Sequence, residues 1–329
     1  MQKVRFLMIG VGGMGREHIR RLLQVPEAEI VALADPSEAA IAQVRTRFPE
    51  LARVEAYTDY VEAIAKANAD AAVIVSPHNM HYDQGIACLE GGLHVLMEKP
   101  FVAGSENAER IIAQAEKLNR HLAVAYQRHL QGRYIYIRDL IQKGELGNIN
   151  YICAYQAQSW LKGTIGTWRQ DPALSCGGQL NDSGSHLLDV VLWVTGLEPE
   201  SVSAFIDNRG TRVDIDSAVT VRFQGGAIGT FNVVGSATIG WHEDVTIHGD
   251  KGSVLVRNNR TYVSREGQRD LVEVTEEVKD TSDPNRDFVD LILGKISEAA
   301  APASCGLRIA RLTEAAWKSA ANGSQVIRL

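Results

Sequence analysis

Residues 4–15 read VRFLMIGVGGMG, and this stretch predicts the fold of the N-terminal part of the chain. Val4–Ile9 is an apolar run, as expected of a parallel strand that is buried on both faces. Three glycines at the G-x-G-x-x-G spacing follow it and open a predicted helix. An acid, Asp35, comes 20 residues after the last of these glycines, at the end of a second predicted strand. This arrangement predicts dinucleotide binding, with the pyrophosphate at the helix N-terminus and the acid on the adenosine ribose.

The same acid indicates which dinucleotide is preferred. A 2′-phosphate would face the carboxylate of Asp35, and residues 36–40 contain no Arg or Lys to balance that charge. The sequence therefore favours NAD over NADP as the cofactor. The predicted cofactor-binding residues of this region are Gly10, Val11, Gly12, Gly13, Met14, Gly15 and Asp35.

Strand and helix patterns alternate through the first 125 residues, which predicts a doubly wound parallel sheet. After Gly132 the pattern changes, and residues 201–275 are typical of successive strands separated by turns, which indicates a largely antiparallel sheet. We therefore expect an α/β protein of two domains. Residues 1–125 would form a dinucleotide-binding Rossmann domain, and residues 126–329 an α+β domain for substrate binding and oligomerisation.

Composition excludes several classes of protein. The length of 329 residues suits two domains, and the formal charge of -6 offers no basic excess with which to bind nucleic acid. Four cysteines without paired spacing are typical of reduced thiols, so a cytoplasmic location is expected. No apolar stretch reaches 18 residues, and neither membrane insertion nor export is expected.

Residues 177–189 read GGQLNDSGSHLLD and form the second informative stretch. A mostly buried helix is predicted over residues 183–194, and spacings of three and four place four side chains on one stripe of it: Asp182, His186, Asp189 and Trp193. An acid and an imidazole at the first turn of a buried helix form a candidate catalytic surface. Two structural interpretations stay open, namely that Asp182 caps the helix and that His186 is a hydrogen-bonded core residue.

Two further segments follow predicted strands and border the same expected crevice. Glu98-Lys99-Pro100 would hold Lys99 toward the nicotinamide, although a lysine beside a glutamate also fits a plain salt bridge. Residues 76–81, SPHNMH, fit either a wall of the cofactor site or an ordinary loop. The two histidines of this loop have no third ligand at a convincing spacing, so no metal is expected.

Together these motifs resemble the glucose–fructose oxidoreductase/inositol dehydrogenase family, often called Gfo/Idh/MocA. The resemblance covers essentially the whole chain and rests on residues 10–15, 76–81, 98–100, 168–169 and 177–189. It implies an N-terminal Rossmann domain followed by a C-terminal α/β domain on an open, mostly antiparallel sheet. It also implies NAD(P)-dependent hydride transfer between nicotinamide and a carbinol or carbonyl of a sugar, a cyclitol or a related compound.

By this resemblance, Lys99, Asp182 and His186 match the family's catalytic lysine, aspartate and histidine, and Gln127 stands where many members have asparagine. Oxidation of an alcohol needs a base for the hydroxyl proton and a group that stabilises the developing oxyanion. We expect His186 to be that base and Lys99 to polarise the oxygen, although the sequence leaves open which of the two moves the proton. Asp182 is expected to orient the imidazole or to favour its charged form.

The expected site is larger than this triad. Cofactor-binding residues beyond the glycine-rich turn are expected to be Ser76, Pro77, His81, Glu98, Lys99, Gln127, Trp168 and Arg169. Substrate-binding residues are expected to be Lys99, Arg128, Tyr155, Gln156, Trp168, Arg169, Asp182 and His186. Arg128 and Arg169 leave open a carboxylate or phosphate on the substrate.

The expected partners are a small sugar or polyol and further copies of the chain. The strands around residues 218–234 carry Val, Ile and Phe, which predicts burial of the second sheet face in a homodimer or homotetramer. Two other functions stay open. An NAD-dependent glycosidase would use the same hydride chemistry transiently, and a dinucleotide-sensing regulator would be expected to lack Lys99 or His186, both of which this chain has.

Overall fold

The computed structural model describes residues 3–275 and 279–329. The chain divides into two compact units, one formed by Met1–Gln127 with Ser282–Leu307 and the other by Arg128–Thr281 with Arg308–Leu329. The sequence predicts a second domain that continues unbroken to the C-terminus. The structure differs, because the segment Ser282–Leu307 packs with the first unit.

The first unit contains a six-stranded sheet in the order β3-β2-β1-β4-β5-β6, and every neighbouring pair is parallel. This is the predicted doubly wound arrangement. Its strands are β1 (Val4–Ile9), β2 (Ala28–Ala34), β3 (Glu55–Tyr57), β4 (Ala71–Ile74), β5 (His94–Met97) and β6 (Leu122–Val124). Its first helices are α1 (Gly13–Leu22), α2 (Glu38–Arg47), α3 (Tyr60–Lys66), α4 (His81–Glu90) and α5 (Ser105–Lys117).

The second unit contains a nine-stranded sheet in the order β14-β13-β12-β11-β7-β10-β9-β8-β15, and among these described strands only β7 and β10 pair in parallel. The predicted mostly antiparallel sheet is confirmed. Its helices are α6 (Gly132–Gln142), α7 (Trp160–Gly163), α8 (Pro172–Ser175) and α9 (Gly184–Thr195). Its strands are β7 (Ile149–Ala157), β8 (Pro199–Asp207), β9 (Asp216–Phe223), β10 (Ile228–Val234), β11 (His242–Gly249), β12 (Gly252–Arg257), β13 (Arg260–Arg265), β14 (Val272–Glu273) and β15 (Ile327–Arg328).

Side chains of β9 and β10 alternate between a buried and a more open face, as the period of a strand requires. The buried face carries most of the apolar side chains that predicted self-association: Val219, Val221, Phe223, Phe231 and Val233. The other face carries Ala218, Thr220, Arg222, Thr230 and Asn232, with half-buried Ile228 and Val234 at the ends of β10. The prediction that the apolar side chains of these strands are buried by self-association is therefore wrong, because most of them fill the core of the unit.

Two further helices follow the second sheet's main strands, α10 (Pro284–Ile292) and α11 (Ala303–Ala321). Helix α10 begins with a side-chain cap, because Asp283 accepts hydrogen bonds from the backbone N of Asn285 and Arg286. Its Phe288 and Val289 are fully buried in the core of the first unit. Among the described residues, every helix is too short or too polar to span a lipid bilayer.

Glu27 lies directly before β2 and bonds to the segment Ser282–Leu307, which we call the returning segment. Its carboxylate accepts hydrogen bonds from Nζ of Lys295 at 2.7 Å and from Nη1 of Arg286 at 2.8 Å. The hydrogen bonds from Lys295 and then Arg286 lower the pKa of Glu27 from 4.5 to about 2. The unfolded chain therefore takes up a proton here at a higher pH than the folded chain does.

We predict that Glu27→Gln flattens the acid dependence of stability. Because the folded pKa is lowered, the contribution of Glu27 to the free energy of unfolding is present above pH 4.5 and is lost as the pH falls toward about 2. Urea unfolding between pH 2 and 6 measures this slope. Glu29→Gln is the control, since Glu29 is half exposed at the same strand, and equal slopes for all three proteins would contradict the prediction.

Candidate functional site

The glycine-rich turn after β1 leaves no room for side chains at two positions. A Cβ at Gly10 (φ +84°) would lie 2.7 Å from the backbone of Val75, and a Cβ at Gly15 would lie 2.2 Å from the carbonyl oxygen of Gly10. Gly12 and Gly13 have no such neighbour within 4 Å. The first turn of α1 has no side-chain cap and no acidic residue. Its amides are therefore available to an anion, which is what a dinucleotide pyrophosphate requires.

Asp35 lies beside this turn, as the sequence predicts. Its Oδ2 accepts a hydrogen bond from the backbone N of Val11 at 2.9 Å, and its Oδ1 accepts one from the backbone N of Ser37 at 2.9 Å. The sequence analysis found no basic residue within 36–40, but the structure places the guanidinium of Arg16 beside the same turn. Nη1 of Arg16 donates to the carbonyl of Val11 at 3.3 Å and to Oε1 of Gln43 at 3.2 Å. The position of Arg16 directly after the last glycine was the available signal.

Three loops meet at one edge of the first sheet. Strands β1, β4 and β5 are neighbours and parallel, so their carboxyl ends lie together. The glycine-rich turn follows β1, Ser76-Pro77 follows β4, and Glu98-Lys99-Pro100 follows β5. The predicted cofactor segments of the first unit are thus brought to one edge.

Glu98 is the buried member of its turn, and Lys99 is half-buried. The carboxylate of Glu98 accepts hydrogen bonds from Nε2 of His18 at 3.0 Å and from the backbone N of Lys99 at 2.9 Å. Burial alone would raise the pKa of Glu98, but the hydrogen bond with His18, the backbone N–H of Lys99 and the electrostatic effects of His18 and Lys99 together outweigh burial, and the pKa is lowered. Glu98 is therefore a buried, ionised carboxylate. Its hydrogen-bond partners are the imidazole of His18 and the backbone of Lys99, so it joins α1 to the turn after β5.

His81 is not available to a cofactor, because its side chain is fully buried. Its Nδ1 lies 2.9 Å from the carbonyl oxygen of Pro100, and its Nε2 lies 3.0 Å from the carbonyl oxygen of Ser76. Burial lowers the pKa of this imidazole. The prediction that His81 binds the cofactor is corrected: His81 joins the loop after β4 to the loop after β5.

In the second unit, Asp182 precedes α9 and does not cap it. The helix begins at Gly184, and its N-cap residue makes no side-chain cap hydrogen bond. Instead, Oδ2 of Asp182 accepts from Nε1 of Trp160 at 3.0 Å and from Nε of Arg169 at 3.1 Å. The guanidinium of Arg169 also stacks on Trp168, 4.6 Å from the ring centroid. The predicted site residues Asp182, Trp168 and Arg169 therefore form one cluster together with Trp160.

His186 lies half-buried in the first turn of α9, and Trp193 of the predicted stripe is also half-buried, whereas Asp182 and Asp189 are buried. Asp189 is fully buried, and its Oδ2 lies 2.8 Å from Nε2 of buried His129. Trp193 stacks on His129 with a centroid distance of 4.3 Å. The stripe is thus not a continuous catalytic surface, because the fully buried Asp189 lies between half-buried His186 and half-buried Trp193.

Arg128 is not free to bind an anionic substrate. It is buried, and its Nη2 donates to Oε2 of Glu243 at 2.7 Å, while Nη1 donates to the carbonyl oxygen of His186 at 3.4 Å. The other oxygen of Glu243 accepts from the hydroxyl of Tyr134, whose pKa burial raises to about 12. The prediction that Arg128 contacts substrate is corrected to a buried ion pair that holds the start of α9.

The strand β7 separates two predicted substrate contacts. Gln156 is fully buried, and its Nε2 donates to the hydroxyl of Ser183 at 3.0 Å. Tyr155, the preceding residue, lies on the opposite face of the strand. Its ring and that of His242 are in an edge-to-face arrangement, with their centroids 5.8 Å apart. The structure therefore does not bring Tyr155 and Gln156 to one binding surface.

A buried carboxylate that the sequence analysis missed holds the loop before α9. Asp214 accepts hydrogen bonds from the backbone N of Gly178 at 2.8 Å and of Leu180 at 2.7 Å, and from Nε1 of Trp317 at 3.0 Å. Burial raises the pKa of Asp214, although these three donors oppose that effect. The loop approaches so closely that a Cβ on Gly178 would lie 1.9 Å from the carbonyl oxygen of Asp214. Asp214 carries no recognisable sequence signal.

Comparison with known families agrees with this arrangement. An oxidoreductase family with an NAD-binding Rossmann fold matches residues 4–126, and the GFO/IDH/MocA C-terminal domain matches residues 134–255. The chain therefore belongs to the Gfo/Idh/MocA family of oxidoreductases, and its first unit is an NAD-binding Rossmann domain. The resemblance drawn from the motifs is confirmed.

Two curated relatives are inositol dehydrogenases. The chain is 26% identical over 270 residues to myo-inositol 2-dehydrogenase of Thermotoga maritima, an alignment that covers 78% of this chain and 76% of that protein. It is 30% identical over 199 residues to inositol 2-dehydrogenase of Streptomyces avermitilis, covering 60% of this chain and 54% of that protein. The chain thus spans only about half of the second relative.

Solved structures show the same fold over the full length. An aldose-aldose oxidoreductase from Caulobacter crescentus, complexed with glycerol, superposes with a TM-score of 0.88 at 21% identity and covers 100% of both chains. A levoglucosan dehydrogenase in complex with NADH gives a TM-score of 0.89 at 19% identity and covers 99% of both chains. At these identities the likeness shows the fold alone.

We predict that Asp214→Asn destabilises the second unit by about 1–3 kcal/mol. An amide offers only one acceptor oxygen, so its NH₂ group would face either the backbone N of Leu180 or the two donors on the other side. Urea unfolding at pH 7 measures the loss. Asp139→Asn, at an exposed carboxylate of α6, is the control expected to stay within about 0.5 kcal/mol, and equal stability of both variants would contradict the assigned role.

Proposed function

We propose that the protein is an NAD-dependent dehydrogenase or reductase that acts on a CH–OH group of an uncharged sugar, cyclitol or related polyol. One observation carries the proposal: the open N-terminus of α1 and the turn that holds Lys99 lie at the same edge of one parallel sheet. That edge is where doubly wound sheets bind nucleotides. A lysine held there supports chemistry at the bound cofactor rather than binding alone.

The residues of the first unit fit a dinucleotide. The open amides of Gly12 and Gly13 would hold the pyrophosphate, and Asp35 would accept hydrogen bonds from the adenosine ribose. The cofactor, when bound, supplies the hydride acceptor for oxidation or the hydride donor for reduction. The protein's own contribution is to position the reacting groups and to move the proton.

We assign the proton chemistry to Lys99 and His186, as the family resemblance implies. Lys99 would donate a hydrogen bond from its ammonium group to the reacting oxygen and stabilise negative charge that develops there. His186 would accept the hydroxyl proton during oxidation through its imidazole. Asp182 would act on the electrostatics of this region while its Oδ2 holds Trp160 and Arg169 in place.

An uncharged substrate agrees with the pairing of the two arginines. Arg128 is committed to Glu243 and Arg169 to Asp182, so both cations expected to bind a carboxylate or phosphate already have anionic partners. Three of the four proteins named above are dehydrogenases of inositol or levoglucosan, which are neutral polyhydroxylated compounds. This agreement supports the polyol class and leaves the individual substrate to a screen.

We predict that the unmutated protein binds NADH more tightly than NADPH. Asp35→Ser is expected to narrow the gap by removing the charge that repels a 2′-phosphate. Adding Arg16→Gln to this variant should widen the gap again, because Arg16 is then the nearby cation for the phosphate. Fluorescence titration measures both affinities, and equal affinity of the unmutated protein for the two cofactors would contradict the role of Asp35.

We predict that Lys99→Met and His186→Ala each lower kcat by roughly a hundredfold or more. Both variants should fold and bind NADH with nearly native affinity, because the glycine-rich turn and Asp35 are unchanged. A screen of polyols, aldoses and cyclitols for NADH formation identifies the substrate on which kcat is measured.

The same screen separates the alternatives. Normal turnover by a folded His186→Ala protein would show that the histidine is not the base. Release of free sugar from a glycoside, without net NADH, would indicate a glycosidase instead, and NADH binding without any turnover would indicate a sensor.

A further inference from the structure

A buried chain of hydrogen bonds in the first unit joins three segments that are distant in sequence. The imidazole of His18, on α1, has no exposed surface. Its Nε2 lies 3.0 Å from Oε1 of Glu98, and its Nδ1 lies 3.0 Å from Oδ1 of Asn285, a fully buried residue of α10. The second oxygen of Glu98 accepts from the backbone N of Lys99. The chain thus runs from the helix of the glycine-rich turn to the backbone of Lys99.

We propose that His18 is a positioning residue for Lys99: its ring holds the carboxylate of Glu98 in the place from which that carboxylate fixes the Lys99 backbone. The inference rests on the proposed function, in which Lys99 acts on the reacting oxygen. His18 itself touches neither substrate nor cofactor, because it is fully enclosed.

The chemistry of the carboxylate explains why a histidine is needed. An ionised carboxylate only accepts hydrogen bonds, so Nε2 of His18 must donate. Without the donor that His18 supplies, burial favours protonation of Glu98, and a protonated carboxyl group presents a donor at one oxygen instead of an acceptor. The other titratable groups that act on Glu98 are the adjacent Lys99 and the buried His81 of α4. The side chain of His18 is fully buried and donates a hydrogen bond to the carboxylate of Glu98.

The packing of α1 does not by itself require a polar side chain at this position. The other buried residues of the helix are Gly15, Ile19 and Leu22, and an aliphatic side chain would continue that apolar face. Asn285 contacts the far side of the ring and fixes its plane. The amide suits either protonation state of Nδ1, because it presents an acceptor oxygen or, after rotation, a donor NH₂ group. The polar side chains therefore serve Glu98 rather than the fold of the helix.

The test compares His18→Leu with His18→Gln in the full-length protein. The Leu variant removes the donor, and we expect the backbone amide of Lys99 to exchange with deuterium at least about tenfold faster by NMR. We also expect kcat to fall roughly tenfold or more with the KM for NAD within about twofold, because Lys99 loses its position while the cofactor contacts remain. The Gln variant keeps an N–H donor and should recover most of both losses.

His94→Gln is the matched control, since His94 begins the same strand β5 at its opposite end. It should leave both the Lys99 exchange rate and kcat unchanged. Unchanged exchange in His18→Leu, or equally fast exchange in the Leu and Gln variants, would overturn the proposal.

A second variant tests the same contact. If His18→Leu does not fold, Asn285→Ala removes the support of the ring and should still raise the Lys99 exchange rate about threefold; native exchange in that variant overturns the proposal. If no polyol is turned over by the unmutated protein, the proposed function fails. The exchange measurements then still decide whether His18 fixes the Lys99 backbone.

Discussion

Carboxylates that accept backbone N–H groups fix the irregular loops on which the candidate site depends. Asp35 holds the glycine-rich turn through Val11, Glu98 holds the backbone of Lys99, and Asp214 holds Gly178 and Leu180. Amides in loops lack the partners that helices and sheets supply, and a buried amide left unpaired costs free energy. An acid placed beside each loop removes that cost and gives the loop one conformation.

Basic side chains lie beside several of the protein's buried or nearly buried carboxylates. Glu98 lies beside His18, Glu243 beside Arg128 and Asp182 beside Arg169. A buried charge without a partner is expensive, and a basic side chain or, as at Asp214, a set of N–H donors offsets that cost. The consequence of these pairs for ligand binding is that neither arginine presents an uncommitted charge.

The returning segment Ser282–Leu307 gives the first unit part of its core and part of its polar network. Phe288 and Val289 complete an apolar cluster that the first 127 residues begin, and Glu27 and His18 each bond to this segment. A fragment of the chain that ended near Gln127 would therefore lack core residues as well as Asn285, one of the two partners of His18. Each unit is therefore built from two stretches of the chain that are not consecutive in sequence.

The sequence by itself determined the alternation of strands and helices that gives the first 125 residues their Rossmann character, and the positions of the glycine-rich turn, Asp35 and the Lys99 turn. These features are local, because periodicity and glycine spacing report on residues that are neighbours in the chain. Tertiary structure alone decided that residues 282–307 belong to the first unit and that His81 and Arg128 are buried. It also decided that Asp189 pairs with His129 and that Asp214 and His18 hold the two functional loops. The partners in each of these pairs are dozens to hundreds of residues apart or lie on faces whose burial depends on the complete core, and no pattern within a single segment records such contacts.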